Sequence, residues 1–263
     1  MIKSGILGLL LLCSPLVAFQ KMDRMEEVGA HLAGAGPETL VVWDVDLVLL
    51  HPVEPAYQMA NIRKHIGVYK ECFLSQPNEK QRLALSQIPF ASPSQLIEPE
   101  VVAVFRWMRA ENVPHIALTG CLTGPLGDCP AVEDHRLSEL NRLGFSFSPL
   151  LEGTVAFDEL PLYRGQPILY KEGVIFANGE VPPKGAALIA FLERVGKCFE
   201  RIVFIDDRLQ YVRDVEEAVA AYDPTLCVEG IHYVGANHFP SPEVSSEDFV
   251  AKWEILLTPD CDP

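Results

Sequence analysis

The chain has 263 residues, 49% hydrophobic and 22% charged, a globular composition with room for one α/β domain and an insertion. Its net charge of −15 at pH 7 repels nucleic-acid backbones and anionic membranes, so neither is expected as a partner. A phosphorylated substrate would meet the same repulsion, so a site for one needs a local cation to reverse the field.

Lys3, an apolar run from Ile6 to Leu12, a break at Cys13-Ser14-Pro15 and a close at Leu16-Val17-Ala18 form the N-terminus. The pattern predicts a signal peptide over residues 1–18, cleaved after Ala18, and an exported (periplasmic or secreted) protein. The run falls short of the about 20 apolar residues of a membrane span. Lipidation at Cys13 and an uncleaved anchor are the alternatives.

Residues 19–37 read as a short helix and loop. Thr39-Leu-Val-Val-Trp-Asp44 reads as a buried strand, being β-branched and aromatic with turn residues before it. Residues 54–96 lack strand character, and 54–74 and 78–87 read as helices broken by Pro77, Pro89 and Pro93. Glu100–Glu111 places Val101, Val104, Phe105 and Met108 on one helical face. A second buried strand, Pro114–Thr119, leads into a Gly/Pro/Cys-rich loop at 120–130 and a helix near 133–143.

Further along, 168–170 and 174–176 suggest a hairpin turning at Glu172-Gly173. Pro182-Pro183 opens a helix from Lys184 to Val195. A third buried strand, Arg201–Asp206, is followed by a helix at 209–221, a strand at 230–234 and a helix at 246–257. Six cysteines remain beyond the leader, enough for disulfides in an exported chain. Cys121 and Cys129 are close enough in sequence for a loop-closing bridge. No CxxC supports a zinc or redox motif.

Strands alternating with helices predict a parallel sheet covered on both faces, with its ligand site at the carboxyl ends of the strands. The three buried strands end in Asp44, Thr119 and Asp206. Asp46 and Asp207 lie just beyond, and Lys184 opens a helix. In an extended stretch Asp44 and Asp46 would share one side, with Val45 and Leu47 facing the core. Four converging carboxylates favour a hard divalent cation with oxygen ligands, Mg²⁺ above all.

These residues resemble the four motifs of the haloacid dehalogenase (HAD)-like superfamily. The matches are Val41-Val-Trp-Asp44-Val-Asp46-Leu-Val48, Ile116-Ala-Leu-Thr119, Lys184 after Pro183, and Val203-Phe-Ile-Asp206-Asp207. The details, including Ile231-His-Tyr-Val234, resemble the uncharacterised bacterial DUF2608 family within it. The resemblance implies a Rossmann-like three-layer α/β core over 19–49 and 99–263, with a small α-helical cap at 50–98. The length of 121–181 leaves room for a second insertion or an elaborated core.

The resemblance also implies roles. Asp44 would be the nucleophile that forms an aspartyl-phosphate, and Asp46 the general acid and base. Thr119 and Lys184 would bind phosphoryl oxygens. Asp44, Asp46 (through its backbone carbonyl), Asp206 and Asp207 would hold Mg²⁺. The expected activity is hydrolysis of a small phosphomonoester. A phosphotransferase and a non-catalytic exported metal- or partner-binding protein are the alternatives. His51, Tyr57, Arg63, Lys64 and His65 are cap candidates for substrate contact.

Overall fold

Every residue of the Thr39–Trp43 run is buried, and that run forms the middle of the sheet. A strand buried on both faces must be apolar throughout, because helices cover each side. The computed structural model describes residues 19–258, so the expected signal peptide lies outside the described residues.

In chain order, β1 (Gln20–Met22) and α1 (Met25–Leu32) precede β2 (Thr39–Trp43). A ribbon of β3 (Leu50–Pro52) and β4 (Ser94–Leu96) brackets a 3₁₀ turn at Pro55–Tyr57, α2 (Met59–Lys64), α3 (Ile66–Tyr69), a π turn at Lys70–Leu74 and α4 (Asn78–Ala91). Next come α5 (Val101–Ala110), β5 (His115–Thr119), α6 (Val132–Arg142), β6 (Thr154–Ala156), β7 (Leu169–Lys171) and β8 (Val174–Phe176). The chain continues through α7 (Lys184–Val195), β9 (Arg201–Asp206), α8 (Leu209–Tyr222), β10 (Cys227–Tyr233) and α9 (Ser246–Leu257).

The large sheet has the order β1-β10-β9-β2-β5-β8-β7-β6. It is parallel from β1 to β8 and antiparallel only in its last two pairings. This is a mixed α/β architecture of the Rossmann-like kind. Alternate residues of β2 face opposite layers. Val41 and Trp43 join the cluster containing Met25 and Val28 of α1, Phe105 and Met108 of α5, and Leu137 of α6. Leu40 and Val42 join the cluster containing Leu188 and Phe191 of α7 and Val215 and Val219 of α8. From β2 the chain runs outward through β5 and β8, then returns to place β9 on the other side of β2. That reversal opens a crevice at the carboxyl ends of β2 and β9.

Residues 121–181 elaborate the core: α6 packs on one face, and β6 and β7 extend the sheet beyond β8. The β7–β8 hairpin turns on Glu172 and Gly173, both at positive φ (50° and 82°). Gly173 suits the turn doubly, since a Cβ there would lie 2.4 Å from Phe147 Cβ.

Three expectations are corrected. Gln20–Met22 is a strand rather than loop, held at the sheet edge by parallel pairing with β10. Ser94–Leu96 pairs antiparallel with Leu50–Pro52 although it lacks β-branched residues, because the two ends of the insertion must meet. Cys121 and Cys129 are free thiols, with no bridge between them.

The insertion does not bury its apolar face alone. Ala56, Tyr57, Phe73 and Ala84 share a cluster with Phe249, Trp253 and Leu256 of α9. Ser245 starts α9 by accepting the Asp248 N–H (3.0 Å). The Trp253 ring is fully buried against Tyr57, Tyr69 and Phe73, and its Nε1 donates to the Ala56 carbonyl (3.1 Å). Trp253→Ala is expected to cost about 3–5 kcal/mol of packing. Hydrogen exchange should then speed up across residues 55–91 while β9 and α7 stay protected. Uniform loss of protection would mean that α9 supports the whole core instead.

Candidate functional site

The β2–β9 pairing runs one residue past the strand, with the Asp44 N–H donating to the Ile205 carbonyl (2.8 Å). This bond brings Asp44 level with the end of β9, where Asp206 is fully buried. Lys184, the first residue of α7, reaches between them. Its Nζ lies 2.8 Å from Asp44 Oδ1 and 2.7 Å from Asp206 Oδ2. Asp44 Oδ1 also accepts the Val45 N–H, and Asp206 Oδ1 accepts the Arg208 N–H (both 2.8 Å).

Asp44, Asp206 and Asp207 each offer an oxygen within 4.8 Å of the others. Among the described residues, no protein donor reaches the Asp207 carboxylate. Its neighbour His232 instead donates from Nε2 to the Asp207 carbonyl (3.0 Å). An all-oxygen set of three close carboxylates, one of them unengaged, fits a hard divalent cation such as Mg²⁺.

Three acids face one ammonium, and the electrostatics follow. Burial raises the Asp44 pKa well above the usual carboxylate range, and the Asp206 and Asp207 charges add to it against the pull of Lys184. Burial, then Asp206, push Asp207 up to about 7. For Lys184 burial alone would lower the pKa, but Asp206 and Asp44 outweigh it and keep the amine charged.

Asp46 stands apart. Strand geometry ends at Trp43, the Leu49 and Leu50 N–H groups both fold back onto the Val45 carbonyl, and Leu47 has φ 63°. The turn covers 47–49, beyond Asp46. Val45 is buried in the core and Leu47 packs at its margin. The Asp46 carboxylate, 55% exposed, is outside the three-acid cluster and receives both its oxygens' bonds from Arg136 Nη2 (2.9 and 3.3 Å).

Thr119 is fully buried at the end of β5, where its Oγ1 accepts the Cys121 N–H (3.2 Å). The register pairs Ala117 with Trp43, which sets Thr119 at the same edge of the sheet as the loop after Asp44. The next residue, Gly120, admits Glu180, whose Oε1 would lie 2.5 Å from a Cβ at that position.

Several contributors escaped the sequence reading. Arg136 is buried between Asp46 and Glu139 on the inner stripe of α6. Charged residues on an otherwise apolar stripe were the available signal. Arg208 donates to the Tyr211 hydroxyl (2.8 Å), which also bonds the Glu180 carboxylate. The Lys184 ammonium lies 5.2 Å from the centroid of the Tyr211 ring.

A cleft of about 390 Å³ opens beside Asp207, lined also by Leu47, Met59, Arg63, His232 and Lys21. Of the cap candidates only Arg63 lines it. His51 is buried against the Phe239 ring, and burial lowers its pKa to about 4. Tyr57 donates to the Lys252 carbonyl, His65 contacts the Val244 carbonyl through Nε2, and Lys64 pairs with Glu243. Those three tie the insertion to the C-terminal segment.

Asp207 carries a testable sign. With its folded pKa near 7 and its unfolded value near 3.8, the folded metal-free chain holds a proton that the unfolded chain has lost. That contribution to stability is therefore lost as pH rises from about 4 to about 7. Thermal melts of metal-free wild type and Asp207→Asn should show the wild type losing stability relative to the variant across that window. Mg²⁺ should recover more as pH rises. Parallel curves would contradict the assignment.

Among the described residues, no helix is long and apolar enough to cross a membrane. No curated protein matches the sequence. The family model described as a protein of unknown function (DUF2608) matches residues 21–253. With that match spanning the sheet, the insertion and the acid–lysine cluster, the chain belongs to the DUF2608 family.

Proposed function

We propose that the protein is an exported, Mg²⁺-dependent phosphohydrolase of the HAD-like type, acting on a small phosphomonoester. The observation that carries this reading is the Lys184 ammonium bridging Asp44 and Asp206 in the crevice between β2 and β9. A carboxylate beside a buried cation at the carboxyl edge of the sheet suits nucleophilic attack on phosphorus. Asp44, the Asp46 backbone carbonyl, Asp206 and Asp207 would hold Mg²⁺, which when bound would offset negative charge between the nucleophile and the phosphate.

Asp44 attacks the phosphorus and the ester oxygen leaves, so an aspartyl-phosphate forms on its carboxylate. Asp46 supplies the proton to the leaving oxygen and later takes one from the attacking water. Arg136 orients the Asp46 carboxylate for this work. Lys184 and Thr119 bind the phosphoryl oxygens, and Lys184 keeps the acids from expelling the anion.

Asp46 also favours a second reading, a non-catalytic binding protein on the same scaffold, because its carboxylate is engaged by Arg136 outside the cluster. A panel of phosphate esters with and without Mg²⁺ separates the two. Hydrolysis of 4-nitrophenyl phosphate is expected only with the metal, and Asp44→Asn should lower kcat by several orders of magnitude with the fold intact. Calorimetric Mg²⁺ binding without turnover of any ester would select the binding protein. Transfer of phosphate to an added alcohol in preference to water would identify a phosphotransferase.

A further inference from the structure

The cleft beside Asp207 has a charge character opposite to that of the chain. In a protein of net charge −15, Lys21 and Arg63 both line it, and among the described residues neither forms an ion pair. The two come from distant segments, one from the sheet edge and one from the insertion. The Arg63 guanidinium is held at the wall by Nη1, which donates to the Asn237 carbonyl (3.0 Å).

Lys21 is placed by register. It pairs with His232 across β1 and β10, and His232 pairs with Asp206 across β10 and β9. Cα partners share a face of the sheet. Asp206, His232 and Lys21 therefore form one row leading away from the acid cluster. Two strand spacings set the Lys21 backbone about 10 Å from that of Asp206. Leu47, Met59 and Ala236 add apolar wall, and the Asp207 carboxylate marks the end nearest the acid cluster. A volume of about 390 Å³ suits a small organic molecule.

Resting on the phosphohydrolase reading, we infer that this cleft seats a second anionic group carried by the leaving group, clamped between Arg63 and Lys21. The substrate class is a small phosphomonoester whose alcohol is itself an anion, bearing a carboxylate or a second phosphate. Exposed cations with no carboxylate partner cost little to hold in water and gain a charge-assisted bond when an anion arrives. The same two cations would draw an anionic substrate toward a protein whose overall field repels it.

The test compares phosphoglycolate (carboxylate), ethylene glycol bisphosphate (second phosphate) and ethyl phosphate (no second anion). The proteins are wild type and the double variant Lys21→Gln/Arg63→Gln. In wild type, kcat/KM for at least one anionic ester should exceed that for ethyl phosphate by about tenfold or more, the size of one charge-assisted bond. The double variant should lose most of that ratio, through KM. Which anionic ester is preferred identifies the group. Equal kcat/KM for all three esters, or a ratio unchanged in the double variant, overturns the inference.

A binding arm keeps the two proposals separable. Asp44→Asn protein, with and without the double substitution, is titrated calorimetrically with the same three esters. If no ester is hydrolysed the phosphohydrolase reading fails, and the cleft is decided here. Tighter binding of an anionic ester that is lost with Lys21 and Arg63 supports it, and equal affinities overturn it.

Discussion

One buried ammonium holds the site together. Lys184 touches the carboxylates of Asp44 and Asp206 with almost no access to solvent. Removing a charge from water costs several kcal/mol per ion, and the attraction between the ions repays it only when the contacts are close and the remaining lone pairs are used. Here the Arg208 N–H takes the other oxygen of Asp206, and the Val45 N–H shares Asp44 Oδ1 with Lys184. Such a pair adds little net stability, but it specifies geometry: β2, β9 and the start of α7 must meet at one point. Among the described residues no donor reaches the carboxylate of the third acid, Asp207, and the charges of Arg208 and Lys184 only partly offset its burial beside Asp206.

The layers around that point follow from ordinary packing. β2 and β9 are adjacent because both are apolar on two faces, and only the middle of a covered sheet hides both. Pro183 precedes Lys184 and starts α7 where the chain crosses back over the sheet, and Gly196, at φ 60°, ends it. In the first turn of α7 the Gly185 N–H donates to the Asp214 carboxylate (2.9 Å), a favourable placing of negative charge at the helix N-terminus.

Much of this was legible in the sequence. Lys184–Val195, Arg201–Asp206 and the C-terminal helix Ser246–Leu257 match their structural bounds because proline, β-branched runs and an N-cap serine mark them locally. Asp44, Asp206 and Asp207 could be placed together from the strand-end rule, and Lys184 from its place at a helix start between the second and fourth motifs of the resemblance. The place of the Asp46 carboxylate could not, because it is engaged by Arg136, a partner 90 residues further along the chain that spacing does not announce. The edge strand at Gln20–Met22 and the ribbon strand at Ser94–Leu96 carry weak local preference and exist through their partners. Phe249, Trp253 and Leu256 of α9 are covered by the insertion, a partner that no local pattern in 246–257 names.

That last contact bears on motion. An insertion joined to the core by a two-stranded ribbon would ordinarily pivot like a flap on a single hinge. This one is also fastened by α9 and the segment before it, through Trp253 and the hydrogen bonds of Asn61 and His65 to residues 241–244. It therefore has two moorings, and any rocking must carry α9 along about an axis through both. Access to the cleft becomes a matter of widening a gap along the Arg63 side rather than lifting a cover.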